Sequence, residues 1–196
     1  MEEREINLRI NKLFEETVPI LHNIYRGFVR EKIDLLKESK VKFRKSLKER
    51  LPGIERLVQD KDKNEATKRF VAALPHLQRV ALALDNLVDK MEIKIEADVP
   101  FAQKAFDDIR QLMVAVGTEF TGVKEYCMTK NRMVKEQIQA DVENIRKMVE
   151  DFESIHQNRL IAGTSMPKAS YLYIDMIDSL KRMAEELAVF TDKVSP

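Results

Sequence analysis

The chain has 196 residues, with 34 Lys and Arg against 33 Asp and Glu, and its formal net charge is therefore +1. It contains only 5 glycines, fewer than the roughly 7% of average usage, and none of them forms a GxGxxG or GxxxxGK pattern. These figures exclude a glycine-rich phosphate loop and disfavour strand-rich folds. They also argue against general nucleic-acid binding, which needs a basic excess.

Three further features predict a cytoplasmic protein. The single cysteine, Cys127, cannot form an internal disulfide, which fits a reducing compartment. No apolar run approaches the roughly 18 residues that a membrane-spanning helix needs. The first five residues are mostly charged and lack the apolar core of a signal peptide.

In the first half, apolar residues at three-and-four spacing predict three helices. Their stripes run from Ile6 to Phe28, from Ile33 to Leu57 and from Phe70 to Ile95. Pro19 lies inside the first stripe and Pro75 inside the third, and a proline bends a helix locally. Pro52 and Gly53 interrupt the second stripe, and residues 59–65, which lack apolar side chains, are predicted to form a loop.

The second half repeats this pattern after a boundary at residues 98–100, where Pro100 disfavours helix in the residue before it. Its stripes run from Phe106 to Cys127, from Val134 to Ile155 and from Tyr173 to Phe190, with the clearest turn of the chain at residues 163–167. A shift of 96 places puts Leu13 on Ile109 and Leu84 on Leu180. The sequence therefore predicts an all-α fold of six antiparallel helices, arranged as two tandem three-helix-bundle repeats over residues 1–98 and 99–196 of one continuous helical domain.

An acidic row on the third predicted helix is the best candidate for chemistry. Asp85, Asp89, Glu92 and Glu96 follow one another at intervals of four, three and four residues, which places them on one helical face. Like charges at this spacing repel one another, so a hard cation or basic side chains from another helix should offset them.

The second predicted helix offers the alternative to a metal. From Arg30 to Arg50 it carries nine Lys or Arg against four Asp or Glu. Ordinary ion pairing with this helix is the more common explanation for an acidic row. The same basic stretch could instead contact an acidic partner, an anionic membrane surface or a phosphate-bearing ligand.

The patterns that catalysis requires are missing from the sequence. His22, His76 and His156 form no HxxxH or HExxH pair, so a zinc site has no support. The Glu-x-x-His pattern of di-iron bundles occurs once, at residues 153–156, where two copies are needed. A hydrogen bond to Glu153 or Arg159 is a simpler account of His156, and the chain is predicted not to be an enzyme.

Two stretches resemble the PhoU-like family, all-helical proteins that include bacterial phosphate-uptake regulators and cytoplasmic domains of sodium–phosphate cotransporters. One comprises residues 152–160, the Gly163 turn and residues 170–177, which look like the family's end of helix five and start of helix six. The other is residues 84–89, where Asp85 and Asp89 match the family's (Glu/Asp)xxxAsp metal-binding signature. With the helix order, the resemblance covers nearly the whole chain.

The resemblance implies a divalent or iron-type metal ion at one site, with Asp85 and Asp89 as its ligands. The matching positions of the second half are Lys181 and Glu185, and a charged lysine cannot be a ligand. We therefore expect the second site to be lost and these two residues to form a salt bridge. The second helix, basic where the family has an acidic motif, puts the first site in doubt as well.

The resemblance also implies a non-enzymatic regulatory module in phosphate uptake or signalling. Its partner would be a phosphate transporter or a signalling component, reached at the membrane only peripherally, and a homodimer is compatible with it. The alternative is a helical adaptor or scaffold bundle that binds a partner protein and no metal.

Overall fold

A computed structural model describes residues 3–51, 64–163 and 166–195, which form helices and, within those ranges, no strand. The prediction of an all-α chain is therefore confirmed. The described helices are α1 (Glu3–Val29), α2 (Ile33–Arg50), α3 (Glu65–Glu96), α4 (Gln103–Thr129), α5 (Arg132–Ile161) and α6 (Pro167–Lys193). The predicted break at Pro52 and Gly53 lies outside the described residues, as does most of the predicted loop.

The described end of that predicted loop differs from the expectation. Glu65 is already the first residue of α3, because the Asn64 side chain accepts a hydrogen bond from the Thr67 N–H and caps the helix at this point. Both internal prolines are accommodated, since α1 continues through Pro19 and α3 through Pro75.

Two helix ends use the same hydrogen-bonding motif. After α3, Asp98 has a φ of 45°, the Asp98 N–H bonds to the Ile95 carbonyl, and the Val99 N–H reaches back to the Lys94 carbonyl at 2.9 Å. The same motif follows α1, with Glu31 at a φ of 53°. This is the Schellman arrangement, which satisfies carbonyls at the helix end and turns the chain sharply.

The helices pack side by side, and α3 against α6 is the most extensive contact. In addition, α1 contacts α2, α3 and α4; α2 contacts α3; and both α5 and α6 contact α4 and each other. In the centre, the Phe14 ring of α1 lies edge-on to Phe120 of α4 at 5.6 Å and to Phe190 of α6 at 5.9 Å. None of the described helices is apolar over a long enough stretch to cross a membrane.

The predicted apolar stripes form the core, with one informative exception on α5. There Ile138, Val142, Ile145, Val149 and Phe152 are buried, but Ile155 is 43% exposed and the next buried residue is His156. The reason is periodicity: the helical face continues at the fourth residue after Phe152, whatever its polarity.

Candidate functional site

The acidic row of α3 faces the basic side of α2. Side-chain exposure is 17% for Asp85 and 53% for Asp89, so the first carboxylate is covered and the second is open. Glu92, which lies between Asp89 and Glu96 in the row, is half-buried. The structure thus places the two predicted ligands on one face, as their spacing requires.

Arg44 of α2 binds Asp85 directly. Its Nη2 donates to Asp85 Oδ2 at 2.6 Å, and its Nε donates to the same oxygen at 3.0 Å. Such a charge-assisted contact is stronger than a neutral hydrogen bond, and it raises the pKa of the Arg44 guanidinium. Asp85, the less exposed of the two candidate metal ligands, is therefore already paired with the positively charged side chain of Arg44.

The remaining carboxylates of the row also face cations. Lys40 Nζ lies 2.5 Å from Asp89 Oδ1, and Lys37 Nζ lies 3.8 Å from Glu96 Oε1. Burial raises the pKa of Glu92, and the charges of Lys37 and Lys40 work against that rise. We name this set of contacts between α2 and α3 the charge row.

The charge row bears directly on the metal hypothesis. Asp85 and Asp89 do not present a free donor set, because a metal ion would have to displace Arg44 and Lys40 from the same oxygens. Over residues 3–51, 64–163 and 166–195, the structure contains no group of three or more His, Cys, Asp or Glu side chains able to hold a metal ion. The residues as folded therefore fit ion pairing better than they fit a metal.

In the second half the corresponding side chains are paired differently from the expectation. Lys181 Nζ contacts Asp178 at 2.8 Å, one turn back on α6, and Glu185 accepts from Arg146 Nε of α5 at 2.8 Å. The expected Lys181–Glu185 bridge is replaced because each residue has a nearer partner. In both halves an arginine of the middle helix holds a carboxylate of the third.

The three histidines lie apart from one another. His22 is exposed on α1, whereas His76 Nδ1 lies 2.6 Å from Glu186 of α6. His156 is buried, and its Nδ1 lies 3.3 Å from Arg159 Nη2, so the expected local hydrogen bond to Arg159 is present. Burial raises the pKa of Cys127 to about 12, as suits a thiol in the core.

Sequence reasoning missed several buried polar groups, which include Lys94, Asp108 and Glu119. Glu119 on α4 is fully buried, and neither of its carboxyl oxygens has a hydrogen-bond partner within the described part of the chain. For His156 the sequence predicts a local hydrogen bond, but not that Nε2 has no hydrogen-bond partner within the described part of the chain. Their positions on the buried stripes of α4 and α5 were the available signal.

No family model matches the chain, and no curated protein or solved structure matches it.

Proposed function

We propose that this chain is a non-enzymatic regulatory module resembling the PhoU-like proteins, which acts in the cytoplasm through protein contacts in phosphate uptake or signalling. The phosphate link rests on the resemblance of residues 84–89, 152–160 and 170–177. Its partner is proposed to be a phosphate transporter or a signalling component.

The pattern of helix contacts is the observation that carries this proposal. In the first half α2 packs on α1 and α3, and in the second half α5 packs on α4 and α6. The contacts of α1 with α4 and of α3 with α6 join the halves. This arrangement supports two tandem three-helix repeats, with α2 and α5 in equivalent places.

A pull-down tests the proposed function. The tagged full-length chain is recovered from cells grown with and without phosphate, beside an unrelated helical protein carrying the same tag. We expect a phosphate transporter or a component of its signalling system to be enriched with this chain alone. Recovery only of partners unrelated to phosphate would contradict the proposal.

The charge row favours a second candidate, the helical adaptor that binds a partner protein and no metal. Arg44 and Lys40 already neutralise the carboxylates that the metal hypothesis requires. In the adaptor, the cations of α2 pair with the carboxylates of α3 in place of a metal ion. Binding of the partner protein then requires no metal ion.

Elemental analysis distinguishes the two versions. Protein is supplied in turn with Mg, Mn, Fe and Zn, and bound metal is measured for the natural chain, for Asp85→Ala with Asp89→Ala, and for Asp178→Ala as a matched aspartate on α6. Stoichiometric metal that only the first variant loses would support the metal-bound module. The adaptor predicts no bound metal in any of the three.

A gain-of-binding variant sharpens this test. Replacing Arg44 and Lys40 by glutamine frees both carboxylates while keeping side chains of similar length. If the protein cations have taken the place of a metal, this double variant should bind a divalent ion more tightly than the natural chain does. Equal binding by both would show that the cations do not block the site.

A further inference from the structure

A groove of about 310 Å³ runs along the surface between α1 and α4, and we call it the α1–α4 groove. Its walls include Val18 and Tyr25 of α1 and Val114 and Thr121 of α4. Among the described residues that line it, Arg110 is the single Asp, Glu, Lys or Arg. Val114 is 66% exposed, so the groove presents apolar surface to solvent along the contact of two helices.

The threonine side chains in this groove already have acceptors for their hydroxyl groups. Thr118 Oγ1 donates to the Val114 carbonyl and Thr121 Oγ1 donates to the Gly117 carbonyl, each at 3.1 Å and each within α4. A hydroxyl that is bonded within its own helix keeps its acceptor when water is removed from around it. Covering this part of α4 with a second protein surface therefore leaves neither threonine hydroxyl unsatisfied.

Gly117 lies in the middle of α4, where the packing of the chain itself has room for a side chain. A Cβ at this position would meet nothing within 4 Å. Glycine inside a helix is less stable than alanine, but the missing Cβ lets a neighbouring backbone come close. The glycine lines the α1–α4 groove, and it therefore suits the close approach of a second helix from the solvent side.

Charged side chains flank the groove, with opposite net sign at its two ends. The end near Tyr25 carries two arginines and an aspartate, and the other end carries two glutamates and a lysine: Arg26, Arg110 and Asp107 at the first, and Glu15, Glu125 and Lys124 at the second. The ion pairs within each end are long, 3.8 Å for Arg110 with Asp107 and 3.8 Å for Lys124 with Glu15. They leave the Arg110 side chain 57% exposed and the Glu15 side chain 62% exposed, so charge of each sign remains available to a partner.

This distribution of charge is complementary to itself. Arg110, Val114, Thr121 and Glu125 follow one another at intervals of four, seven and four residues, which places them on one face of α4. A two-fold axis perpendicular to the helix and passing beside Gly117 reverses the direction of that face in the second copy. Val114 then lies opposite Thr121 of the partner subunit, and Arg110 lies opposite Glu125 of the partner subunit.

We propose that the α1–α4 groove is the interface of a homodimer, in which α4 of one copy crosses α4 of the other in the antiparallel direction at Gly117. The apolar centre of the groove loses its contact with water, and the pairs of Arg110 with Glu125 set the direction of the helices at both ends. A second copy is the occupant because the two ends of the groove complement each other. The dimer depends neither on the charge row nor on the proposed function.

Sedimentation equilibrium of the full chain tests the proposal. We expect a mass that rises with concentration, from about 1 to about 100 µM, towards twice the 22.8 kDa of the chain. A monomer throughout this range would overturn the proposal, whatever other proteins the chain binds.

Val114→Glu tests whether this groove is the interface. A glutamate in the covered centre is desolvated without a cation, and the variant should weaken the dimer by about a hundredfold or more. Val41→Glu is the matched control, because Val41 is a valine of α2 with 63% exposure against the 66% of Val114. Circular dichroism verifies that both variants are folded. A dimer that survives Val114→Glu unchanged uses another surface and would contradict the proposal.

Reversal of the end charges tests the direction of the helices. Arg110→Glu and Glu125→Arg each create two like-charged contacts in the dimer, and each should weaken it by about tenfold or more. The double variant restores opposite charges across the interface and should dimerise within about threefold of the natural chain. A double variant that dimerises no better than the single variants would show that Arg110 and Glu125 do not meet.

Disulfide cross-linking locates the two-fold axis. Thr118 lies beside the proposed axis, so Thr118→Cys should form a covalent dimer under oxidising conditions. Thr129→Cys, at the end of the same helix, is the control, because an antiparallel crossing at Gly117 separates its two copies by about 35 Å at 1.5 Å per residue. The natural Cys127 is buried and is kept in both variants. Equal cross-linking of the two variants would rule out this crossing point.

Discussion

At the residue scale, Glu119 is a buried acid whose protonation is linked to folding. Burial, with a further contribution from the charge of Asp141, raises its pKa to about 9. The folded chain therefore keeps Glu119 neutral at a pH where the unfolded chain ionises it. Proton loss on unfolding makes the free energy of unfolding fall as pH rises from about 4.5 to about 9.

We expect Glu119→Gln to remove this dependence. Relative to the natural chain, the variant should gain stability as pH rises from 5 to 8, by up to a few kcal/mol at about 1.4 kcal/mol per pKa unit. Urea unfolding at both pH values measures the difference. Glu125→Gln, on the exposed side of the same helix, is the control. A Glu119→Gln effect of the same size at both pH values would show that Glu119 is ionised in the fold.

Polar residues on buried stripes were the hardest feature to predict. Hydropathy selects Ile155 as the next core residue of α5, but the geometry of the helix selects His156. Similarly, Glu119 lies three residues after the buried Val116 and so falls on the buried stripe of α4, although its charge predicts exposure. The apolar stripes of α1 and α6 were predictable because no charged side chain occurs among the buried residues of these helices.

At the scale of the helices, two glycines make opposite demands on their surroundings. A Cβ at Gly27 of α1 would lie 3.0 Å from Leu36 Cδ2 and 3.3 Å from the Lys32 carbonyl oxygen, where α2 begins. A Cβ at Gly117 of α4 would meet nothing within 4 Å. A Cβ at Gly27 would therefore force its neighbours to shift, whereas the surroundings of Gly117 have room for one.

We expect Gly117→Ala to stabilise the chain by about 0.5–1 kcal/mol, the usual gain of alanine over glycine inside a helix. Gly27→Ala should destabilise it, because the buried Leu36 side chain and a backbone carbonyl cannot both yield. Thermal unfolding of the two variants side by side measures both signs. Stabilisation by both substitutions would show that α2 is free to move away from α1.

The charge row was partly predictable at this scale. The sequence placed four carboxylates on one helical face and the excess of cations on the preceding helix, and both features are present. It did not determine which charge meets which, because pairing depends on how α2 lies along α3. The same reason applies to Glu185, whose partner Arg146 lies on α5, whereas Lys181 pairs with Asp178 of its own helix.

For the whole molecule, the ring contacts of Phe14 with Phe120 and Phe190 join the two halves of the sequence. Phe14 is 1% exposed, and its ring contacts lie on α4 and α6, beyond the predicted boundary at residue 98. The extensive contact of α3 with α6 crosses the same boundary. We infer that the halves unfold together.

Phe14→Ala should lower the free energy of unfolding by about 3–5 kcal/mol, the usual cost of removing a buried aromatic ring. Amide hydrogen exchange provides the readout, and protection should fall by a similar amount in α3 and in α5, which does not pack on α1. Leu8→Ala, on the exposed side of α1, is the control. Loss of protection confined to the first half would show that the halves unfold separately.

The charge row also has a consequence for helix register. Its cations and carboxylates both recur at about four-residue spacing, so moving α2 along α3 by one turn, about 5.4 Å, would bring Lys40 to Asp85. After such a shift Asp85 would still face a positively charged side chain, Lys40 in place of Arg44. Charge alone therefore cannot determine the position of α2 along α3. We infer that packing determines the register instead, through the buried Leu36, which lies close to Gly27, and the buried Phe43 ring.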